Sequence, residues 1–514
     1  MSKRERTSEG VWKASYYGFC INLPLLTFYL TSSIQLRNRK DGVIWIALSK
    51  HSHAGNNPFP SWEQSIPTLG TTVKLSRFSK NNVQTFGVRI ILRTFAAPFY
   101  MMAILMNYRI ETLGSGLRLI QLASPSPVVY CGIAVEAGTR DELPGEEGLA
   151  HFCEHLSFKG TLRRSAMQII NSIEGIGGEL NAFTNKEDTV FYAAVQKEHL
   201  ARAVDVLCDI VFFSQYPQAE VEKEVEVVCD EIESFEDSPS ELIFDEMENI
   251  LFSGHPLGHN ILGSQQQLRT YTSVDACRFT HRHYRPDRCV FFVSGDVDFQ
   301  RLCRLVEKHV PSKGDESQAT TPEGTQLPLL PTEREYVSRR ATHQAHVMMG
   351  TTTFGADDPR RWSLFLLNNL LGGPGLNSRL NLSLRERHGL VYSADSTMVS
   401  YSDTGFWGVY FGCDAADIKR CRRLVRRELD RLIQSPLSAR QLSAAKRQLK
   451  GQLAIASDQR EQYVLDFVRN FLHHDAVRGV QQVMEHIDSL TPEELQETAC
   501  QLFVPERITT LIYQ

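Results

Sequence analysis

The chain is expected to fold as an α+β protein of two similar α/β-sandwich halves, each a mixed, largely antiparallel sheet with helices packed on it. Three observations predict this. Beyond residue 106, short β-branched apolar runs alternate with longer segments whose apolar residues recur at helical spacing. Residues 312 to 333 are rich in Ser, Thr, Pro, Gly and Glu, and include Pro322, Pro328 and Pro331, so they read as a linker. After that linker the order of strand and helix starts again, so the second half reads as a diverged copy of the first.

The elements follow in order. Pro127 to Val135 is β-branched and apolar and reads as a strand. Glu136 to Pro144 carries charge and glycine punctuation and reads as a loop, and a helix around His151 follows it. Leu200 to Phe213 places apolar residues at helical spacing, as a helix packed on the sheet. Between Glu220 and Glu233, Val221, Val225, Val228 and Ile232 mark one amphipathic helix. Cys289 to Gly295 closes the first half as a buried strand. In the second half, His346 to Gly350 restarts a strand and Arg361 to Leu371 a helix. Gly372, Gly373 and Gly375 then end that helix or form a loop over substrate. They lack the Gly-Lys-Ser/Thr ending of a phosphate loop.

The chemistry concentrates in His151-Phe-Cys-Glu-His155. Residues four apart share a helix face, so His151 and His155 can point at one metal ion. Glu154 is placed to reach a water on that ion without binding it. Two imidazoles and a nearby carboxylate in the order His-x-x-Glu-His form the inverted zinc-peptidase motif. The bland reading is a histidine pair covering a core edge. Cys153 sits at the wrong angle to join the histidines and reads as packing. Glu224 and Glu231 are two turns apart on one face of their helix. As bare residues, most glutamates of this run read as a solvated acidic face.

These residues, with Leu180-Asn-Ala-Phe-Thr184 and Thr189-Val-Phe-Tyr192, resemble the pitrilysin/insulinase family of zinc peptidases, closest to its short members of the mitochondrial-processing-peptidase kind. The resemblance covers about residues 106 to 514, with a first strand beginning in Arg109 to Leu119. It implies that the two halves face each other as a clamshell. It implies one zinc per chain, held by His151, His155 and Glu231, which stands 76 positions beyond His155. Glu154 is then the general base and Glu224 a supporting catalytic carboxylate. Arg385 and Tyr392 match an arginine and a tyrosine that face the zinc and bind around the scissile carbonyl. Without the resemblance they read as a surface arginine and a core tyrosine. His388 reads as a surface residue. Asn181 and Ala182 would hold the peptide from an edge strand through main-chain hydrogen bonds.

The activity implied is that of a zinc-dependent endopeptidase cleaving extended or unfolded peptides, or processing N-terminal segments. The other reading is a non-catalytic scaffold or partner subunit of the same fold, against which the retained Glu154 argues. Peptide substrates are the expected partners, with a homodimer or a heterodimer with an inactive homologue completing the assembly.

A net charge of −5 argues against nucleic acid as a partner. Eleven cysteines, scattered without a Cys-x-x-Cys pair, do not read as a disulfide framework and favour a reducing compartment, the cytoplasm. The expected divisions are an extension over 1–105, a catalytic zinc-binding domain over 106–315, a linker over 316–333 and a metal-free homologous domain over 334–514. In the extension, Lys3, Arg4, Arg6 and Lys13 precede an apolar run from Tyr16 to Leu30 that is too short to span a bilayer. It reads as a targeting signal for export or an organelle, or as residues upstream of a true start at Met101, Met102 or Met106. With no steady periodicity, it is expected to form no packed domain.

Overall fold

The computed structural model describes residues 108–312, 331–340, 342–474 and 479–514, together with four strands nearer the N-terminus. Those four are β1 (Ile34–Asn38), β2 (Ile44–Ser49), β3 (Thr72–Lys80) and β4 (Val83–Ile91). They pair antiparallel in the order β1-β2-β4-β3, within a compact unit of residues 1–105. The sequence reading placed no regular structure there. The signal it passed over is local. Phe86, Val88 and Ile90 alternate at period two, and only Asn81 and Asn82 separate β3 from β4. The apolar run Tyr16 to Leu30 lies outside the described residues, as do the targeting and start-site readings and residues 313–330 of the linker.

The second compact unit is residues 106–514. Its first half has strands β5 (Tyr108–Thr112), β6 (Arg118–Leu122), β7 (Val128–Val135), β8 (Glu179–Thr184), β9 (Thr189–Gln196) and β10 (Cys289–Ser294). They form one sheet in the order β5-β6-β10-β7-β9-β8. The single strand expected to open this half is a hairpin, β5 and β6. Gly116 turns it with φ +89°, a backbone conformation that suits glycine. The longer helices of this half are α1 (Leu149–Ser157), α2 (Ala166–Ile173), α3 (Leu200–Phe212), α4 (Gln218–Glu236), α5 (Pro239–Leu251), α6 (Ser273–His283) and α7 (Phe299–His309).

The second half has β11 (Glu335–Ser338), β12 (Ala345–Phe354), β13 (Val391–Ser400), β14 (Thr404–Cys413) and β15 (Thr509–Tyr513), in the order β11-β15-β12-β14-β13. Without β5 the first sheet reads β6-β10-β7-β9-β8, the same order strand for strand. In both sheets the outer pair is parallel (β6 with β10, β11 with β15) and every other pair antiparallel. The second half is thus the diverged copy expected from the sequence. Its helices are α8 (Arg361–Gly372), α9 (Ile418–Gln434), α10 (Ala439–Ala456), α11 (Arg460–His474), α12 (Val480–Ser489) and α13 (Pro492–Leu502).

Each sheet buries one face under helices of its own half. The other face is covered by a helix borrowed from the opposite half. Val464, Leu465, Phe467, Val468, Phe471 and Leu472 of α11 pack on Ile120, Ala134, Val190, Val290 and Phe292 of the first sheet. In return, Ile243, Met247 and Leu251 of α5 pack on Met348, Phe406, Leu511 and Tyr513 of the second. At about 1.5–3 kcal/mol for each large apolar side chain buried, the α11 contact is worth roughly 10 kcal/mol.

Polar contacts seal the same seam. Arg140 reaches Glu187 at 2.6 Å and Asp403 at 2.5 Å, and the Tyr401 hydroxyl donates to Glu248 at 2.8 Å. Asp188, in the β8–β9 turn and 1% exposed, accepts from Arg469 at 2.9 Å and faces His473 Nε2 at 3.0 Å, both on α11. Burial pushes the Asp188 carboxyl up, but the hydrogen bond from His473 and the charges of Arg469 and His473 outweigh it and hold it at about 2. Burial lowers His473, yet Asp188 raises it above its ordinary value. Asp188 therefore adds stability that is full above its unfolded pKa of about 3.9 and lost as pH falls through about 2. His473 adds stability that is present below about 6.5 and lost as pH rises through its raised value. Asp188→Asn is expected to cost about 3 kcal/mol at pH 6 by urea unfolding, since it removes the buried charge that pairs with two half-buried cations, Arg469 and His473. It should also flatten the acid limb of stability between about pH 4 and pH 2. An unchanged acid limb in the variant would remove Asp188 from this role.

Candidate metal centre

Helix α1 begins at Gly148, with φ +89°. A Cβ there would come within 2.7 Å of the Leu262 carbonyl and the Gly263 backbone, so only glycine lets the chain turn in. The buried Glu142 carboxylate caps the helix start, accepting the N–H groups of Gly148 (3.0 Å) and Ala150 (2.7 Å). His259 Nε2 lies 2.8 Å from it. Burial pushes Glu142 up to about 7, against those hydrogen bonds.

One turn apart on α1, the rings of His151 and His155 stand 4.6 Å apart between centroids. Helix α4 brings Glu231 to them, with Oε1 3.9 Å from His151 Nε2 and Oε2 3.5 Å from His155 Nε2. One ligating atom from each of the three lies within 4.8 Å of the others. Around a tetrahedral zinc with bonds near 2.05 Å, neighbouring ligands stand about 3.3 Å apart, close to these spacings.

The electrostatics suit a cation. Burial, then the neighbouring His155, lowers His151 to about 3, so its imidazole is neutral at pH 7 as a ligand must be. Its Nδ1 is buried without a partner. Burial works against a charged His155, but the hydrogen bond its Nδ1 donates to Glu224 and the charges of Glu154, Glu231 and Glu224 outweigh it and raise its pKa. A metal ion in that field would take the place of the proton.

Glu224, buried one heptad before Glu231, lies 3.0 Å from His155 Nδ1, and its other oxygen meets Lys159 at 2.6 Å. This carboxylate fixes the ring so that Nε2 turns toward Glu231. Glu154 sits on the same helix, buried, and accepts from the Thr184 hydroxyl at 2.7 Å. Burial raises its pKa, with Thr184 pulling the other way. Cys153 is wholly buried in the core, as packing.

Asn181 and Ala182 lie on β8, the edge strand of the first sheet, opposite Tyr192 and Phe191. Arg385 and Tyr392 meet each other, with the guanidinium 5.5 Å from the ring centroid. Among the described residues no hydrogen bond or ion pair joins either to the histidine cluster. Tyr392 is 84% exposed, so it is not a core tyrosine. His388 is half-buried and bonded to the Ser383 carbonyl, not a free surface residue. Three site residues carried no role in the sequence reading: Glu142, Lys159 and Thr184. Thr184 ends a motif quoted for the resemblance, whereas Lys159 stands four residues beyond His155 and Glu142 reads as any loop acid.

The acidic face of α4 divides in two. Glu226 pairs with Arg269 and Glu233 accepts from Gln265, both away from the histidines. Glu231→Gln is therefore expected to lose zinc far more readily than Glu226→Gln or Glu233→Gln. Glu224→Gln should fall between, about 10–100-fold weaker than wild type. Metal content after gel filtration checks this, and equal retention in all four variants would place the ligand elsewhere.

Residues 119–265 match the family model described as insulinase (peptidase family M16), and residues 271–449 match the peptidase M16 inactive domain. An uncharacterised zinc protease of Streptomyces coelicolor is 33% identical over 396 residues, covering 76% of this chain and 86% of that protein. The mitochondrial-processing peptidase subunit beta of Bos taurus is 28% identical over 401 residues, covering 76% of this chain and 80% of its own. Among solved structures, a protease from Helicobacter pylori superposes with a TM-score of 0.75 at 22% identity, over 80% of this chain and 100% of that one.

Proposed function

The chain belongs to the insulinase family of peptidases, family M16, and on that premise we propose that it is a zinc-dependent endopeptidase acting on extended or unfolded peptides, including N-terminal segments to be processed. The observation that carries this reading is the convergence of His151, His155 and Glu231 beside the buried carboxylate of Glu154. His151, His155 and Glu231 are the proposed ligands of one zinc per chain, and relatives 32% and 33% identical in sequence are named zinc proteases. Zinc held there would supply a water acidified toward a pKa of about 7 and polarise the scissile carbonyl.

The chain's own residues do the rest. The peptide adds to the free edge of β8, held by main-chain hydrogen bonds at Asn181 and Ala182, which read little sequence. Glu154 takes the proton of the attacking water and hands it to the leaving amine. Thr184 holds that carboxylate in place. Glu224 and Lys159 keep His155 oriented. Arg385 and Tyr392 bind around the scissile carbonyl, and the exposure of Tyr392 leaves it free to meet substrate. A second chain, a copy or a metal-free homologue, is the partner proposed to enclose the peptide. The ten described cysteines are all free, eight of them buried, which fits a reducing compartment such as the cytoplasm. No helix among the described residues is long and apolar enough to cross a membrane.

The test is cleavage of an unfolded peptide library by the purified chain. Activity lost to a chelator and restored by zinc is expected. Zinc-loaded protein that cleaves no peptide, alone or with a homologous partner, would favour a scaffold.

A further inference from the structure

Away from the metal centre, the second half carries a cavity of about 440 Å³ at the C-terminal end of α9, lined by Arg379, Arg387 and Arg431. Three arginines line it, and Glu428 is the one carboxylate among its walls. Glu428 is bound to Arg431 at 2.6 Å. Arg379 is half-buried, and among the described residues its side chain makes no hydrogen bond or ion pair. Burial and the nearby Arg431 weigh against its charge, with Glu428 opposing them, and the balance lowers its pKa. Arg387 likewise has no side-chain partner among the described residues. The cavity therefore holds an excess of two positive charges, counting Glu428 against three arginines.

The backbone between Arg379 and Arg387 is unusual. Residues Asn381–Glu386 form a π-helical turn, with the Arg387 N–H reaching the Leu382 carbonyl at 3.2 Å. Such widened turns are rare and recur at functional sites. Arg387 follows directly from this one, and Arg379 stands two residues before it. Along α9, exposed Lys419, Arg423 and Arg427 precede Arg431 at intervals of four, so they lie on one line. Among the described residues none of the three has an ion pair. Like charges so spaced repel one another, and their field draws anions toward the cavity.

We infer that this cavity is a binding site for a soluble ligand bearing a multiply charged phosphate group, gripped by Arg379, Arg387 and Arg431. A phosphate or diphosphate offers the planar, bidentate oxygen pairs that guanidinium forks fit, and its charge matches the excess. A cavity with the apolar walls of Leu382 and Leu437 suits a small molecule better than a flat membrane surface does.

Inorganic pyrophosphate is the probe, titrated calorimetrically into the full chain with and without prior chelator. Saturable binding is expected in both states. Arg379→Gln and the exposed Arg387→Gln should each weaken it about tenfold or more, because each removes a charged hydrogen-bond donor. Arg278→Gln, a surface control paired with Asp275, should leave it unchanged. Binding that vanishes with chelator would assign the anion to the metal centre and overturn the inference. So would equal affinity in both arginine variants, or no binding at all. Sedimentation with phosphatidic-acid vesicles without pyrophosphate binding would overturn it in favour of a lipid surface.

Discussion

Glutamine at position 154 is expected to lower peptide cleavage by about 100- to 10,000-fold while leaving bound zinc at the wild-type level. The amide keeps the shape of the carboxylate and can still meet the Thr184 hydroxyl, 2.7 Å away in the native chain. It cannot take a proton. The loss should fall on kcat, since Glu154 is buried and is not placed on the β8 edge that would hold the peptide. His155→Ala makes the contrast, because it removes a ligand and should lose metal and activity together. Kinetics and metal analysis on the same preparations separate the two. Wild-type rates in Glu154→Gln would take the base role from this residue.

The second large effect concerns folding. A chain restricted to residues 106–315 is expected not to fold alone, although it contains every proposed zinc ligand. Without α11, the sheet face of Ile120, Ala134, Val190, Val290 and Phe292 meets water, and Asp188 loses Arg469 and His473. The lost burial, roughly 10 kcal/mol, is comparable to the whole stability of an ordinary domain. The fragment should aggregate, or bind a dye for exposed apolar surface, and hold no stoichiometric zinc. A soluble monomer with a cooperative thermal transition would contradict this.

How much of this was legible in the sequence depended on how local the cause was. Val221, Val225, Val228 and Ile232 carry the period of α4 in their own spacing, and all four are buried as that period requires. The histidine pair on α1 follows from the same arithmetic. The repeat of the two halves was visible as a restart after the linker, and the matching strand orders bear it out. The exchange of α5 and α11 was not legible. Ile243 and Met247, or Val464 and Phe471, show an apolar face, but nothing in that face says which sheet it covers. Glu142 was missed for a like reason. It caps a helix from six and eight residues upstream, and only the fold shows that its loop turns back. The Tyr392 environment escaped because an aromatic side chain is more often buried than left 84% exposed.

The borrowed helices bear on what happens when the chain is broken. A nick between residues 312 and 331 parts no paired strands among the described residues, and each piece then holds the missing layer of the other. The two pieces should stay together after cleavage, and if produced separately should find each other at a rate set by their concentrations. For a protein proposed to spend its life among peptide bonds being cut, such a break would not dismantle the centre. His151, His155 and Glu231 all lie on the same side of it.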